Sequence, residues 1–517
     1  MADRRLFLKG STAALAALAA PPLIAADGAR PIAAQGLQLG DPMGDRLMVW
    51  SRSDRPARMI VEWSADERFA DATRIVGPYA LESSDFTARQ DLIGLPRDRD
   101  VFVRVSFQGL DNGRAMSEPV AGRTHLLGNK REPIRFVWGG DTAGQGWGIN
   151  PDFGGMRIYE QMRLRQPHFF IHSGDNIYAD GPILERATAE GDRTWRNIVT
   201  PEVAKVAETL DEFRGRYRYN LLDENVRRFN AEVAQIWQWD DHEVMNNWSD
   251  SKSVAADARY GEKNVPLMVA RGARAFMDYA PMRPFEAGES QRVYRRFSYG
   301  PLLEVFVLDM RSYRGPNGYN REERAGPETA FLGAEQLAWL QRGLTQSKAL
   351  WKVVAADMPI GLQVGDGKDA QSRDMFEAVA NGNGPVLGRE FEFAQLFSHL
   401  KRQRVRNVVW LTADVHYAAA HYYDPKQARF RDFDPFWEFV AGPLHAGTFG
   451  PNPLDDTFGP QAVFVKAPAP GQVNLSPLAG MQFFGEVNID PRGGLAVDLR
   501  DLSGQSIYRK ELAPARA

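Results

Sequence analysis

The 517-residue chain contains no cysteine. Disulfides, thiolate metal sites and a cysteine nucleophile are all excluded, so any metal binding falls to oxygen and imidazole. Charge of one sign is also missing. The net charge is −3 and no long acidic or basic run occurs, which excludes the broad electropositive face that holds nucleic acid or anionic lipid. No GxSxG elbow lies between a strand and a helix, which disfavours a Ser/His/Asp hydrolase. There is no internal repeat and no apolar run long enough for a stable membrane span. What remains is a globular composition, 44% hydrophobic with 12 tryptophans, enough for a large core and roughly two to four domains.

Residues 1–29 read as an address rather than as part of the fold. Asp3-Arg4-Arg5-Leu6-Phe7-Leu8-Lys9 precedes an alanine-rich stretch from Ala13 to Ala26, a pattern that resembles a twin-arginine export signal. The expected partner is the twin-arginine translocation machinery, and the expected location is the periplasm or the medium. Residues 32–124 read as a separate all-β domain of immunoglobulin or fibronectin type. Short runs such as LMVWSR, MIVEWSA and VFVRVSFQGL are punctuated by Gly-Pro and Asp-Asn-Gly turns, with no helical periodicity between them. Leu126 to Glu132 is the polar linker, and residues 133–510 form the second domain.

In that second domain strands alternate with helical segments. Ile134–Trp138, the apolar periodicity of MRIYEQMRLR and Phe169–His172 make a β-α-β unit, in which ligands gather beyond the carboxyl ends of the strands. The segment from Ile183 to Ala231 reads as charged and mostly helical, either a lid or a solvated insert. Glu335–Leu344 and Glu390–Arg402 are further amphipathic helices, each placed before a strand. The stretches 361–388 and 443–480 read as long loops.

Six apolar runs in this domain end in aspartate: IRFVWGGD at Asp141, FFIHSGD at Asp175, IWQWDD at Asp240 and Asp241, EVFVLD at Asp309, KVVAAD at Asp357 and VVWLTAD at Asp414. A buried strand gains nothing from a terminal carboxylate, so the six endings point to one acidic basin where strand ends converge.

Gly139-Gly140-Asp141, Gly174-Asp175-Asn176-Ile177-Tyr178, Asp240-Asp241-His242-Glu243 and Asp414-Val415-His416, in that order at strand ends, resemble the calcineurin-like metallophosphoesterases. GDxxY looks like the purple-acid-phosphatase branch. The blocks GDNIYADGP, WDDHEVMNNW, VLDMRSYR and LTADVHYAA, with the N-terminal GLQLGDP…RLMVW, are similar to the PhoD-type alkaline phosphatase and phosphodiesterase family. The resemblance spans essentially the whole chain after residue 29. It implies an α/β fold, a metallophosphoesterase β-sandwich flanked by helices and preceded by the small all-β domain. It also implies Fe(3+), bound by tyrosinate, with Ca(2+) beside it. Some members place a cysteine after the first strand; Asp141 is the natural replacement here.

The donor chemistry points to the same metal class. Asp141, Asp175, Tyr178, Asp241, Asp357 and Asp414 offer oxygen, and His416 offers nitrogen. Such a set suits hard cations, Fe(3+) or Ca(2+) with Mn or Mg as substitutes, and does not suggest a zinc site. Tyrosine must lose a proton of pKa near 10 to bind, which favours a strongly polarising ion. Matching DDHE to the GNHE motif of related phosphoesterases selects Asp241 over Asp240 and assigns His242 to transition-state stabilisation or protonation of the leaving alkoxide. The family also implies that Asn246 or Asn247 contacts metal or phosphate, and that Arg271 of ARGARAF binds phosphate. Asp357 is explained nearly as well by a turn before Pro359, and Asp309 by pairing with Arg311. His445, beside Gly442-Pro443, reads equally as structural or functional, and His168, His172 and His421 have nothing to mark them as functional.

The expected activity is hydrolysis of phosphate monoesters and diesters by a hydroxide that the cations generate and orient for in-line attack, in the service of phosphate acquisition. Two alternatives stay open: a phospholipase D-like or other specialised phosphodiesterase on the same site, and a noncatalytic exported protein that holds calcium.

Overall fold

The computed structural model describes residues 30–111 and 113–515. The expected export signal lies outside the described residues. Two large sheets face each other. The first has nine strands in the order Ser506–Leu512, Leu495–Asp501, Phe483–Ile489, Ile134–Gly139, Phe169–Ser173, Ala234–Gln238, Leu37–Met43, Arg46–Arg52 and Thr87–Leu92. The second has seven, in the order Arg295–Tyr299, Leu303–Val307, Trp351–Ala355, Val408–Thr412, Phe436–Val440, Ala418–Tyr423 and Pro460–Lys466. The centre of each sheet is parallel and the margins are antiparallel.

Alternation along the strands builds the layers, because successive side chains leave a strand on opposite faces. Phe136 and Trp138 enter the core between the sheets with Ile171, Val305, Val353 and Leu411. Val137 and Phe170 point the other way, against the helices Arg157–Leu164, Leu210–Asn220, Glu224–Glu232 and Val265–Tyr279. Phe306, Val354 and Trp410 do the same on the outer face of the second sheet, against Ala334–Gln346 and Glu390–Arg402. The result is a helix–sheet–sheet–helix sandwich, the expected architecture. Glu390–Arg402 has the bounds expected from its pattern.

The N-terminal residues fold as an all-β domain, but three of its strands do not stop at its border. Leu37–Met43 pairs in parallel with Ala234–Gln238 at Gly40 and Gln235, so that Arg46–Arg52 and Thr87–Leu92 extend the nine-stranded sheet. The remaining strands Thr73–Ala80, Ala57–Ser64, Arg99–Gly109 and Val120–Leu126 close the domain as an antiparallel sheet of four. The join needs a residue without a side chain: a Cβ on Gly40 would lie 2.0 Å from the Pro281 carbonyl oxygen. The Trp50 indole then donates to the Asp278 carbonyl at 2.8 Å across the same border.

The segment from Ile183 to Ala231 is less helical than its charge pattern suggests. Its first half is a hairpin, Arg186–Ala189 with Arg193–Arg196, followed by coil; α-helices begin only at Leu210. Thr188, Thr194, Ile198, Val199 and Thr200 favour extended backbone there, and Trp195 is buried against Trp147. Glu190 ties the hairpin to the Ser476 hydroxyl at 2.7 Å.

Candidate metal centre

The six aspartate-ended runs divide evenly between the sheets. Asp141, Asp175 and the Asp240-Asp241 pair follow strands of the first, and Asp309, Asp357 and Asp414 follow strands of the second. Because the two sheets open toward the same end, the carboxyl ends of six parallel strands surround one basin, as open α/β sheets do for ligands generally. Above the basin lies a cleft of about 480 Å³ lined by Asp175, Tyr178, Asp241, His242, Asp414 and His416 among others.

Three sets of ligand atoms converge there, each within 4.8 Å of one another: Asp141, Asp175 and His416; Asp175, Asp241 and His242; Asp240, Asp241 and Asp414. Asp175 and Asp241 each belong to two sets, the arrangement two adjacent cations would need. The backbone is strained at the same places. Asp141, Asp175, Asp414 and His416 have φ of 70°, 52°, 64° and 61°, a region side-chain-bearing residues rarely adopt, and such outliers concentrate at functional sites. Gly442 leaves room for one of them, since a Cβ on it would lie 2.2 Å from Asp141 Oδ2.

Electrostatics sharpen the reading. Burial pushes the Asp141, Asp175 and Asp414 carboxyls well above the usual range, and the neighbouring carboxylates push them further. Both oxygens of Asp141 and Oδ1 of Asp241 have no hydrogen-bond partner among the described residues. Buried carboxylates without partners are costly unless a cation satisfies them. Tyr178 Oη lies 2.8 Å from His416 Nε2, and His416 Nε2 lies 3.6 Å from Asp141 Oδ1. His416 Nδ1 faces the Gly447 carbonyl and so carries the proton, leaving the Nε2 lone pair toward the basin; burial lowers its pKa to about 4 and keeps the ring neutral. Phenol oxygen, imidazole nitrogen and carboxylate oxygens thus face one point, and the residues present fit a hard, strongly polarising cation there.

Other expected residues fall differently. Asp357 is fully buried beside Asp240 and 3.8 Å from Arg311 Nε, and it joins none of the three converging sets. Arg271 does not reach the cleft: on the outer helix Val265–Tyr279 it donates to the Glu208 carbonyl at 2.7 Å and pairs with Glu262. The guanidinium expected to hold phosphate is therefore turned away, because a nearer carboxylate and carbonyl take it. Asp309 does not pair with the Arg311 guanidinium; its Oδ1 accepts the Arg311 and Ser312 backbone N–H groups at 3.0 and 2.9 Å, as a turn cap. His445 ties two loops together, its N–H donating to the Asp141 carbonyl at 2.9 Å. His172 and His421 are buried on Thr142 and Glu438. His168 Nδ1 accepts the Arg135 N–H.

The roles of three residues escaped the sequence reading. Glu243 gathers the Asp240 and Asn176 backbone N–H groups at 2.7 and 2.5 Å, locking two ligand loops together. Arg311 holds Asp240 Oδ1 from below at 2.5 Å. Asp180, five residues after Asp175, accepts from His242 Nδ1 at 2.6 Å and from the Asn246 N–H at 2.9 Å. The only available signal was its place in the GDNIYAD block.

These observations fit one family. A model of PhoD-like phosphatases matches residues 136–497, and a model of their N-terminal domain matches residues 17–127. The chain belongs to the PhoD-like phosphatases. Alkaline phosphatase D of Bacillus subtilis (strain 168) is 26% identical over 446 residues, 82% of this chain and 71% of that protein. Among solved structures, that of PhoD matches with a TM-score of 0.68 at 19% identity, covering 95% of this chain and 94% of that one. A purple acid phosphatase from yellow lupin (Lupinus luteus) seeds matches with 0.55 at 13% identity, over 93% and 74% of the two chains. At those identities the two structures show the fold alone. This PhoD-like phosphatase is a hydrolase with an acidic and histidine-containing metal-binding site, a metal-dependent phosphoesterase.

Asp180 supplies a prediction about His242. Burial draws the imidazole pKa down, but Asp180 and Asp241 outweigh it and raise the group to about 9. A raised histidine pKa keeps the ring charged, and the stability this contributes is present below the unfolded value near 6.5 and lost as pH rises through about 9. In Asp180→Asn the His242 pKa falls, and the alkaline limb of the pH–rate profile shifts down by about one unit or more. An unmoved limb with unchanged rates removes His242 from the proton inventory.

Proposed function

We propose that this protein is an exported phosphoesterase of alkaline phosphatase D type, which hydrolyses phosphate monoesters and diesters outside the cytoplasm to recover phosphate. The observation that carries this reading is the convergence of Asp141, Asp175, Tyr178, Asp241, Asp414 and His416 on one cleft, with carboxylate oxygens left unpartnered. Fe(3+) with Ca(2+) is the metal pair this oxygen-rich, phenol-containing set favours. When bound, such cations supply Lewis acidity toward the phosphoryl oxygens and an activated water.

The chain's own groups would do the rest. Asp141, Asp175, Tyr178 and His416 would hold one cation; Asp241 and Asp414, with Asp175, would hold its neighbour. Asp180 fixes the His242 ring through Nδ1, so that Nε2 faces the reacting groups and delivers a proton to the leaving alkoxide. Asn246, exposed at the cleft, offers an amide donor to a phosphoryl oxygen. Among the described residues no arginine or lysine lines the cleft, so substrate charge would be balanced by the cations, His242 and amides. The twin-arginine pattern before residue 30 supports export, and no helix of the described residues is long and apolar enough to cross a membrane.

The test pairs elemental analysis of protein purified without added metal with rates on an aryl phosphomonoester, a bis-aryl phosphodiester and a phospholipid. Iron and calcium with turnover of the first two is the expected result. Turnover of the phospholipid alone replaces the broad substrate range with the specialised one. Absence of metal-dependent turnover on all three leaves the calcium-holding alternative.

A further inference from the structure

The short hairpin Gly365–Lys368 with Asp374–Phe376 lies at the edge of the cleft, and its one carboxylate near the site is Asp366. Asp366 Oδ1 accepts from Asn247 Nδ2 at 3.0 Å, and the Gly365 carbonyl takes the same amide group at 3.4 Å. Asp366 Oδ2 accepts from Asn317 Nδ2 at 2.9 Å, and Asn317 is in turn held by Glu377 at 2.8 Å. The side chain of Asp366 is only 16% exposed, and Lys252 Nζ stands 3.9 Å away. Its position is therefore set from two sides.

Asn247 is the residue this carboxylate acts on. It lines the cleft, has φ of 53°, and donates its backbone N–H to Asp241 Oδ2, next to the unpartnered Asp241 Oδ1. An asparagine amide can present either its oxygen or its NH₂ to a site, and the choice is made by what binds the other end. With the NH₂ committed to Asp366 and Gly365, the atom of Asn247 left for the cleft is Oδ1. An oxygen there joins the acidic basin as a neutral donor; an NH₂ there would repel a cation.

We propose that Asp366 is a positioning residue that fixes the Asn247 amide with Oδ1 toward the cation held by Asp241, so that the hairpin and not the strand-end loop sets this ligand's orientation. The assignment rests on the metallophosphoesterase reading of the site. Asp366 touches neither substrate nor cation and acts through Asn247.

A double-mutant cycle tests it, with Asp366→Ala, Asn247→Ala and the pair compared by Ca(2+) affinity in calorimetry and by kcat and KM on an aryl phosphate. Each single variant is expected to weaken Ca(2+) binding about tenfold, and the double variant no further than Asn247→Ala alone, because residues in one hydrogen-bonded path are not additive. Asp366→Asn retains a carbonyl oxygen for Asn247, while Asn317 keeps Glu377, so this variant is expected to lose less than about threefold. Losses that multiply in the double variant, an unchanged Asp366→Ala, or an Asp366→Asn as weak as Asp366→Ala would each overturn the proposal. Thermal melting separates misfolding, since a variant in this short edge hairpin, with Asn317 still held by Glu377, should melt within a few degrees of the parent. The calorimetric arm needs no turnover, so an inactive parent that binds Ca(2+) sinks the phosphoesterase reading while the cycle still decides the role of Asp366.

Discussion

Asp175→Ala is expected to lower turnover of an aryl phosphate by about three orders of magnitude, or about 4 kcal/mol of transition-state stabilisation. The size follows from position. Asp175 is a member of two converging ligand sets, so its removal weakens both cation sites and the spacing between them. Its Oδ1 also accepts the His242 N–H at 3.1 Å, which couples His242 to the same loop. Elemental analysis should show loss of metal, most from the site that Tyr178, His416 and Asp141 alone would leave open. Stability should move the other way in metal-stripped protein. Asp175 sits among Asp241, Asp240, Glu243 and Asp141, which repel its charge, so deleting it relieves part of the strain. A variant that is inactive, poor in metal and no less stable after chelation has the signature of a ligand. One that keeps activity and metal would remove Asp175 from the site, and the assignment of its neighbours with it.

The parts of this site legible in the sequence share a physical cause. A parallel strand buried on both faces reads as a continuous apolar run, and its end is where polar groups reappear, so Asp141, Asp175, Asp241 and Asp414 stood out without any knowledge of the fold. Tyr178 stood out through the resemblance that its GDxxY block carries, and His416 as the alternate residue past a strand end. The six runs did not reveal that they belong to two sheets, because a strand end looks the same in either. Arg271 was misplaced for a related reason: a helical arginine has no periodic mark distinguishing a face toward the cleft from one toward Glu208 and Glu262. Asp180, Glu243 and Asp366 were missed because their roles depend on partners 62 to 119 residues away in the chain. Likewise, the continuity of the N-terminal strands with the main sheet rests on one register, Gly40 against Gln235, which no local pattern encodes.

Arg311→Met is expected to destabilise the protein by about 3–5 kcal/mol at neutral pH, the scale for removing one partner of a buried ionic network. The side chain is fully enclosed, with Asp240 at 2.5 Å, Glu377 in contact and Asp357 at 3.8 Å. Methionine fills much of the volume but leaves these carboxylates facing each other. Arg314 remains on Glu377 at 2.9 Å and Arg389 stays nearby, so the fold is weakened and not abolished. The pH dependence gives the cause. Burial raises the Glu377 pKa, but Arg311, Arg314 and Arg389 outweigh it and hold the group at about 2. A depressed carboxyl contributes stability that is present above its unfolded value near 4.5 and lost as pH falls through about 2. The gap between wild type and Arg311→Met in denaturant titrations should therefore be widest at neutral pH and narrow below pH 4.5. A gap that is constant with pH would mean that Arg311 acts by packing alone. Activity should fall with it even where the variant is folded, because Asp240, which shares a converging set with Asp241 and Asp414, then loses the group that fixes its Oδ1.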